Sequence, residues 1–176
     1  MPSKPTKKRQ PPKPWSMFPA LHEQVQSLLE NDGLSFITFH PHDNETGQID
    51  YKDTNVMGRF VCRNPTCKAS GWSSKAVAIT IRKFPDNKYN ARIYHQRCKR
   101  CNALSRPKLD DSYAERVAYR LKKWHGVPMT PPDYDDTSKG PHNKALCEGC
   151  KAGHCIVGKR LGGGDVEELT ALFATL

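Results

Sequence analysis

An α+β fold, with an antiparallel β-hairpin core and two flanking helices, is predicted from three features of the sequence. Residues 77–94 alternate apolar and polar side chains on both sides of a turn, which is the pattern of a hairpin. Apolar residues at helical spacing occupy one segment before the hairpin and another after it. Cysteine pairs flank the hairpin, and a 176-residue chain with 36% apolar residues has a small core that suits such cross-links.

The first helix is predicted over residues 18–30. Its apolar side chains recur at helical spacing: Phe18, Leu21, Val25, Leu28 and Leu29. Pro19 suits the first turn, where its missing N–H has no partner to lose, and Asn31-Asp32-Gly33 ends the helix. Short strands are predicted at residues 35–40 and 57–62, with an acidic, turn-rich segment between them.

The hairpin has the clearest strand pattern in the chain. Apolar residues alternate with more polar ones before and after the turn Pro85-Asp86-Asn87: Val77, Ile79 and Ile81, then Tyr89, Ala91 and Ile93. This alternation predicts one apolar face and one polar, basic face. The second strand leads the chain directly into Cys98.

The second helix is predicted over residues 111–124. Its apolar stripe consists of Tyr113, Val117, Leu121 and Trp124. The basic residues Arg116, Arg120 and Lys123 lie off this stripe. Asp110 or Asp111 can cap its start, and the lysines near its end suit the helix dipole.

These elements divide the chain into four stretches. Residues 1–14 are a basic Pro/Lys-rich tail that we expect to be disordered. Residues 15–56 add a helix and a strand to the main domain, residues 57–155 form the cysteine-rich domain, and residues 156–176 are a glycine linker and a short amphipathic helix. That last helix would carry Leu169, Leu172 and Phe173.

The seven cysteines are expected to be reduced. Their number is odd, no apolar stretch follows the basic N-terminus to make a signal peptide, and no run is long enough to span a bilayer. We therefore expect a cytoplasmic or nuclear protein whose thiolates hold metal rather than form disulfides.

The cysteine and histidine spacings predict two zinc ions. Zinc prefers four nitrogen or sulfur ligands in a tetrahedron, so the cysteine pairs must combine. The first site is predicted to use Cys62, Cys67, Cys98 and Cys101, with the hairpin between its two loops as in a zinc ribbon. The second is predicted to use His142, Cys147, Cys150 and Cys155. His154 is an open alternative to His142 as its fourth ligand.

No catalytic residues are predicted. A redox role would need a C-x2-C motif at the start of a helix in a βαβ unit, and neither such motif has that setting. If both ions have four protein ligands, no position remains for an activated water. We therefore expect a protein that is not an enzyme.

Several motifs resemble the 3CxxC-type zinc-finger family. They are Gly58-Arg59-Phe60-Val61-Cys62, Cys67, Gly71-Trp72-Ser73-Ser74, Tyr94-His95-Gln96-Arg97-Cys98-Lys99-Arg100-Cys101, and Cys147-Glu148-Gly149-Cys150 through Cys155. The upstream segment 15–34 and the end of the second helix look most like the short fungal members. The first pair departs from the family's name because it is C-x4-C.

The resemblance implies zinc binding but not one biological task. The family includes receptor-transporting proteins, which help receptors reach the cell surface, and zygote-arrest proteins, which bind messenger RNA. Several receptor-transporting proteins carry a C-terminal transmembrane segment that this sequence lacks, which disfavours a membrane-anchored role.

The distribution of charge favours a polyanionic partner. The net charge is +10, and residues 82–123 alone carry thirteen Lys and Arg against four acidic residues. We expect RNA or single-stranded nucleic acid to bind the polar hairpin face and the loop after it. The predicted contacts are Lys88, Arg92, Tyr94, Arg97, Lys99 and Arg100. The alternative is a protein-interaction adaptor or receptor escort that binds its partner through the C-terminal helix.

Overall fold

A computed structural model of the chain describes residues 10–132 and 141–160. Within these ranges the strands are β1 (Trp15–Ser16), β2 (Thr38–Phe39), β3 (Asp50–Phe60), β4 (Trp72–Phe84), β5 (Lys88–Tyr94), β6 (Gln96–Arg97), β7 (Leu104–Ser105) and β8 (Lys108–Leu109). The helices are α1 (His22–Glu30), α2 (Ser112–Trp124), α3 (Glu148–Ala152) and α4 (Ile156–Arg160). The predicted α+β class is confirmed, whereas most of the basic tail and the predicted C-terminal helix lie outside the described residues.

The main sheet is built around the predicted hairpin of β4 and β5. Its strand order is β1-β5-β4-β3-β8, with antiparallel neighbours, and β2 adds to β5 in parallel. Asp86 and Asn87 have φ angles of 59° and 56°, a left-handed conformation that these two residue types tolerate in turns. The turn therefore brings β4 and β5 together from the Phe84–Lys88 pair to the Ile79–Ile93 pair.

β3 is much longer than the sequence pattern predicted. It begins at Asp50 rather than near residue 57, and it pairs with β4 along its length, with a bulge between Val56 and Gly58. The expectation of a turn-rich segment up to residue 56 was therefore wrong. The first three residues of β3 are exposed, so their strand conformation comes from pairing with β4 and not from an apolar pattern.

The polar face of the hairpin is covered and not open to solvent. Arg82 is 1% exposed, and its Nη2 donates to Asp43 Oδ1 at 3.1 Å while its Nε donates to Asn90 Oδ1 at 2.7 Å. Asn90 is itself buried, and its Nδ2 donates to the backbone carbonyl groups of His40 and His42. The segment that contains Asp43 thus lies over this face, which is polar but closed to solvent at Arg82 and Asn90.

The apolar face of the sheet packs against α1 and α2. Val25 and Leu29 of α1 and Val117 and Leu121 of α2 are buried in one core with the hairpin residues. Two residues were proposed to cap α2, and Asp110 is the one whose side chain does so: its Oδ1 accepts a hydrogen bond from the Ser112 N–H at 3.0 Å.

Arg116 was expected to lie off the apolar stripe of α2, but it is 6% exposed and donates to the backbone carbonyl of Asn55. It therefore ties α2 to β3. Among the described residues, no helix is long and apolar enough to cross a bilayer.

Two candidate metal centres

The first candidate centre lies at the end of the sheet where β3 and β5 finish and β4 begins. It gathers Cys62, Cys67, Cys98 and Cys101, whose Sγ atoms all lie within 4.8 Å of one another. The Cys62 and Cys101 sulfurs are 3.4 Å apart, and those of Cys67 and Cys98 are 3.9 Å apart. Each close pair joins one loop to the other, so the four thiols form one group.

Local hydrogen bonds shape both loops of this centre. Asn64 accepts from the Thr66 N–H through its side chain, at 3.1 Å, and from the Cys67 N–H through its carbonyl, at 3.0 Å. In the second loop Asn102 has a φ of 62°, and its N–H donates to the Cys98 carbonyl at 2.8 Å. These turns bring the two cysteines of each loop to the same side, as a shared ion requires.

The second candidate centre gathers His142, Cys147, Cys150 and Cys155. The Nε2 atom of His142 lies 3.2 Å from the Cys150 sulfur and 3.5 Å from the Cys155 sulfur. Cys147 precedes α3 and Cys155 precedes α4, so their sulfurs lie at helix N-termini. The Cys147 and Cys155 sulfurs accept hydrogen bonds at 3.4 Å from the N–H groups of Cys150 and Gly158. Such bonds stabilise thiolates.

Two glycines permit the close packing of the second centre. A Cβ at Gly158 would lie 2.4 Å from the Cys150 sulfur, and a Cβ at Gly149 would lie 2.3 Å from the Cβ of Ala78 on β4. Gly158 belongs to the helix Ile156–Arg160, in a stretch that the sequence pattern assigned to a linker. The folded domain therefore includes α4, which closes one side of this centre.

The structure distinguishes between the two histidines that were the alternatives for the fourth ligand of the second centre. His142 lies with the three cysteines, whereas His154 Nδ1 lies 3.0 Å from Asp53 Oδ1 on β3. The His154 ring also stacks on Tyr94, with ring centroids 5.7 Å apart. His154 is thus a neighbour of the centre that contacts the sheet, and it is absent from the ligand group.

The second centre is attached to the strand that leads into the first. Cys147 forms a β-bridge with Gln96, and the Glu148 N–H donates to the His95 carbonyl at 3.1 Å. The Nε of Arg97 donates to Glu148 Oε1 at 2.6 Å. Residues 95–97 therefore connect the two centres through backbone and side-chain contacts.

The chemistry of the thiols fits a divalent cation. In the second centre, hydrogen bonding with Cys155 and burial raise the pKa of Cys147, while the same hydrogen bond lowers the pKa of Cys155 to about 4. Each of the two thiols therefore opposes full ionisation of the other. A cation bound between them removes this conflict, because it allows every sulfur to be a thiolate.

The distances fit zinc in both groups. A zinc–sulfur bond of about 2.3 Å places tetrahedral sulfurs about 3.8 Å apart, close to the sulfur separations of the first group. All seven cysteines of the chain belong to one group or the other. Four cysteines would hold one ion, and one histidine with three cysteines would hold the other, which gives two zinc ions per chain.

These two closed ligand sets, on a mixed sheet with flanking helices, define a structural zinc-binding protein with a zinc-ribbon-like fold. The chain belongs to the 3CxxC zinc-ribbon family, whose model, described as a zinc-binding domain, matches residues 55–153. The match contains seven of the eight proposed ligands and ends two residues before Cys155. No curated protein and no solved structure matches the chain significantly.

Two of the residues predicted to contact nucleic acid, Tyr94 and Arg92, are engaged in contacts within the fold. Tyr94 is 2% exposed, and its ring lies between Trp15 and His154. Arg92 donates to Asp43 Oδ1 at 2.6 Å, and its guanidinium lies 4.7 Å from the centre of the Trp15 ring. The covering segment and the N-terminal strand β1 occupy that face of the hairpin, so both side chains make their contacts within the fold.

The other four predicted contacts differ in position. Lys88 is exposed but lies near the hairpin turn, six residues along β5 from Tyr94, which corresponds to about 20 Å. Arg97 is partly exposed and paired with Glu148. Lys99 and Arg100 are exposed on the second loop of the first centre.

A cleft of about 450 Å³ lies between the two centres. Its lining includes Arg97, Lys99 and Arg100 together with Trp72, His142 and Asn143. The sequence pattern did not predict this cleft, because it joins segments about 70 residues apart that only the fold brings together. The predicted metal ligands that lie close in sequence to residues 72, 98 and 142 were the available indication that these residues would meet.

Proposed function

We propose that this protein binds single-stranded nucleic acid, RNA above all, through the basic surface at the cleft between its two zinc centres. The observation that supports the proposal is the charge of the cleft lining. Among the described residues that line it are Arg97, Lys99 and Arg100, and none of these lining residues is an aspartate or glutamate. A concave basic surface of this kind attracts phosphate groups and concentrates them near its walls.

The charge of the first centre does not neutralise this surface. Zinc with four thiolates carries a formal charge of −2. The two loops that hold it present four exposed cations: Arg63, Lys68, Lys99 and Arg100. In the part of the chain that the structure describes, none of the four forms an ion pair. These cations exceed the charge of the first centre by two, and the charge of −1 on the second centre, with three thiolates and a neutral histidine, reduces the excess beside the cleft to one.

Arg97 has a different role from Lys99 and Arg100. Its Nε donates to Glu148, and its Nη1 donates to the Asn102 carbonyl at 3.1 Å. Glu148 also accepts from Lys151 at 2.9 Å, so this carboxylate is shared between two cations. We therefore expect Lys99 and Arg100 to make most of the phosphate contacts, whereas Arg97 forms part of the cleft wall.

We further propose that the zinc ions support the fold and that the protein is not an enzyme. Four protein ligands complete the tetrahedron at each centre, which supports a closed structural site. Seven thiols used as ligands support a reducing compartment, cytoplasmic or nuclear.

The test is nucleic-acid binding by the zinc-loaded full chain over a range of salt concentrations. The probe is a single-stranded oligouridylate of about ten nucleotides. We expect the logarithm of the affinity to fall linearly with the logarithm of salt concentration. In the Lys99→Gln/Arg100→Gln variant the slope should be shallower by about 1.4, because each phosphate contact on a single strand contributes about 0.7.

The matched control is Lys52→Gln/Lys88→Gln, which removes two exposed cations at the opposite end of the sheet. This control should leave the slope nearly unchanged. Equal loss in both variants would mean diffuse attraction and would contradict a site at the cleft. Absence of binding at low salt would instead favour the protein-interaction adaptor as the function.

A further inference from the structure

We infer that the cleft between the zinc centres receives an unpaired nucleobase, which stacks on the indole ring of Trp72. This inference rests on the proposed function and specifies which part of the nucleic acid enters the cleft. Basic loops alone would contact the phosphates and leave the bases outside. An aromatic ring in the wall of a basic cleft adds a surface on which a base can stack.

Trp72 is held rigidly enough to serve as a stacking platform. Its ring is stacked on Phe60, with centroids 5.0 Å apart and planes 6° apart. Its Nε1 donates to Gln96 Oε1 at 3.1 Å. Gln96 is fixed in turn, because its Nε2 donates to Ser74 Oγ at 3.0 Å and lies 3.3 Å from the Ala76 carbonyl.

Trp72 lines the cleft, and one face of its indole is stacked on Phe60. Phe60 is fully buried and covers the inner face of the indole, whereas Trp72 is only partly buried and forms part of the cleft lining. A base that enters would therefore lie against a ring that is already oriented. Pre-orientation lowers the entropic cost of stacking.

The dimensions and polarity of the cleft suit one nucleotide. Its volume of about 450 Å³ falls in the range of small-ligand sites. Lys99 and Arg100 lie in the same lining as Trp72, so phosphates can contact these cations while the base lies on the indole. Ser73 and Asn143 add polar groups to the wall.

The other large aromatic side chains near the basic surface are already engaged. Tyr94 is buried, and Trp15 has Arg92 against its ring. The ring of Trp124 has Lys83 and Arg120 against it. Among the residues that line the cleft, His142 belongs to a metal group, which leaves Trp72 as the available stacking ring.

The first experiment compares two probes on the zinc-loaded wild-type chain. One is the oligouridylate of about ten nucleotides, and the other is an abasic oligonucleotide of the same length and charge. Both present the same phosphates, so the difference in affinity measures the contribution of the bases, and the Trp72 variants below assign the stacking part of it. We expect the base-bearing probe to bind about tenfold more tightly or better, as stacking of one base implies. Equal affinities would overturn the inference.

The second experiment uses Trp72→Leu, with Trp72→Phe as the conservative variant. Trp72→Leu should lose the preference for the base-bearing probe while its affinity for the abasic probe stays the same, and Trp72→Phe should keep part of the preference. Two bound zinc ions and an unchanged affinity for the abasic probe show that the variants are folded. If Trp72→Leu keeps the full preference, the base does not stack on Trp72.

Failure of this inference can be distinguished from failure of the proposed function. If the two probes bind equally and the Lys99→Gln/Arg100→Gln variant weakens both, phosphate binding stands and stacking is excluded. If neither probe binds at low salt, the proposed function itself is contradicted, and this inference is contradicted with it.

Discussion

The Nδ1 atom of His154 lies 3.0 Å from Oδ1 of Asp53, a residue 101 positions earlier in the chain. Asp53 Oδ1 also accepts from Thr80 Oγ1 at 2.7 Å, and its Oδ2 lies 3.4 Å from the Lys159 ammonium. One carboxylate on β3 therefore holds the residue before Cys155 and a residue of the helix after it. This contact positions the second centre against the sheet.

Asp53→Asn is therefore expected to weaken zinc retention at the second centre only. The variant removes the charge that pairs with Lys159 and one acceptor for His154, so the loop that carries Cys155 loses its restraint. Partners that orient metal ligands typically contribute about 10- to 100-fold in affinity. Competition with a chelator should show one zinc released about tenfold more readily and the other unchanged.

The matched control for this prediction is Asp50→Asn, on the same strand. Asp50 is exposed, and its side chain accepts a hydrogen bond from the neighbouring Tyr51 N–H. Zinc retention in this variant should equal that of the wild type. If both zinc ions stay as tightly bound in Asp53→Asn as in the control, the contact does not position the second centre.

The identity of the fourth ligand at the second centre gives a second prediction. His142→Ala should lower the zinc affinity of that centre by about 100-fold or more, because a ligand is lost. His154→Ala should retain two zinc ions, since that ring contacts Asp53 and Tyr94 and lies outside the ligand group. Cobalt substitution provides the readout, because the absorption bands report the ligands directly. Loss of the nitrogen-ligand signature in His154→Ala would reverse the assignment.

The two ligand groups were predictable because paired cysteines carry their own geometry. A loop with two cysteines a few residues apart points both sulfurs at one ion wherever it lies in the fold. The choice between His142 and His154 was not predictable in this way, because both lie close to the cysteines in sequence. It depends on Asp53, which belongs to the polar half of β3 that no apolar pattern marks.

The hairpin shows the same division between local and tertiary information. Its strands and turn follow from side-chain alternation and from Asp86 and Asn87. The environment of its polar face does not follow from the local sequence, because Asp43 accepts hydrogen bonds from Arg82 and Arg92, which lie about 40 and 50 positions away in the sequence. Charge patterning located the basic residues correctly but could not indicate which of them the fold would bury.

Loss of a single zinc ligand gives a third prediction. Cys98→Ser and Cys147→Ser should each bind one zinc ion fewer and unfold at a lower temperature than the wild type. In small metal-dependent folds, zinc binding supplies about 10 kcal/mol or more of folding free energy. Elemental analysis and thermal unfolding measure the two effects, with chelator-treated wild type as the reference. An unchanged melting temperature in either variant would contradict a structural role for that centre.

The network around Asp43 gives a fourth prediction. Arg82 and Arg92 both donate to Asp43 Oδ1, and the Trp15 Nε1 donates to its Oδ2 at 2.8 Å. Asp43→Asn leaves two largely buried guanidinium groups without their shared carboxylate. Loss of one partner from a buried ion pair costs about 3 kcal/mol, and urea unfolding should show a decrease of that size. Glu45→Gln is the control, because Glu45 pairs with Arg92 but its side chain is 74% exposed, so its loss should cost at most about 0.5 kcal/mol.

The pH dependence of this difference follows from the pKa of Asp43. Burial opposes its ionisation, but hydrogen bonds from Arg92 and Trp15 and the charges of Arg92 and Arg82 outweigh burial and lower the pKa to about 2. The pKa in the unfolded chain is about 3.9. Because the folded pKa is the lower one, the stabilisation is complete above about pH 4 and is lost as the pH falls toward 2. The difference in unfolding free energy between wild type and Asp43→Asn should therefore be the same at about pH 6 and about pH 9. A difference that shrinks within this range would show that the carboxylate titrates there and that the two arginines do not hold it ionised.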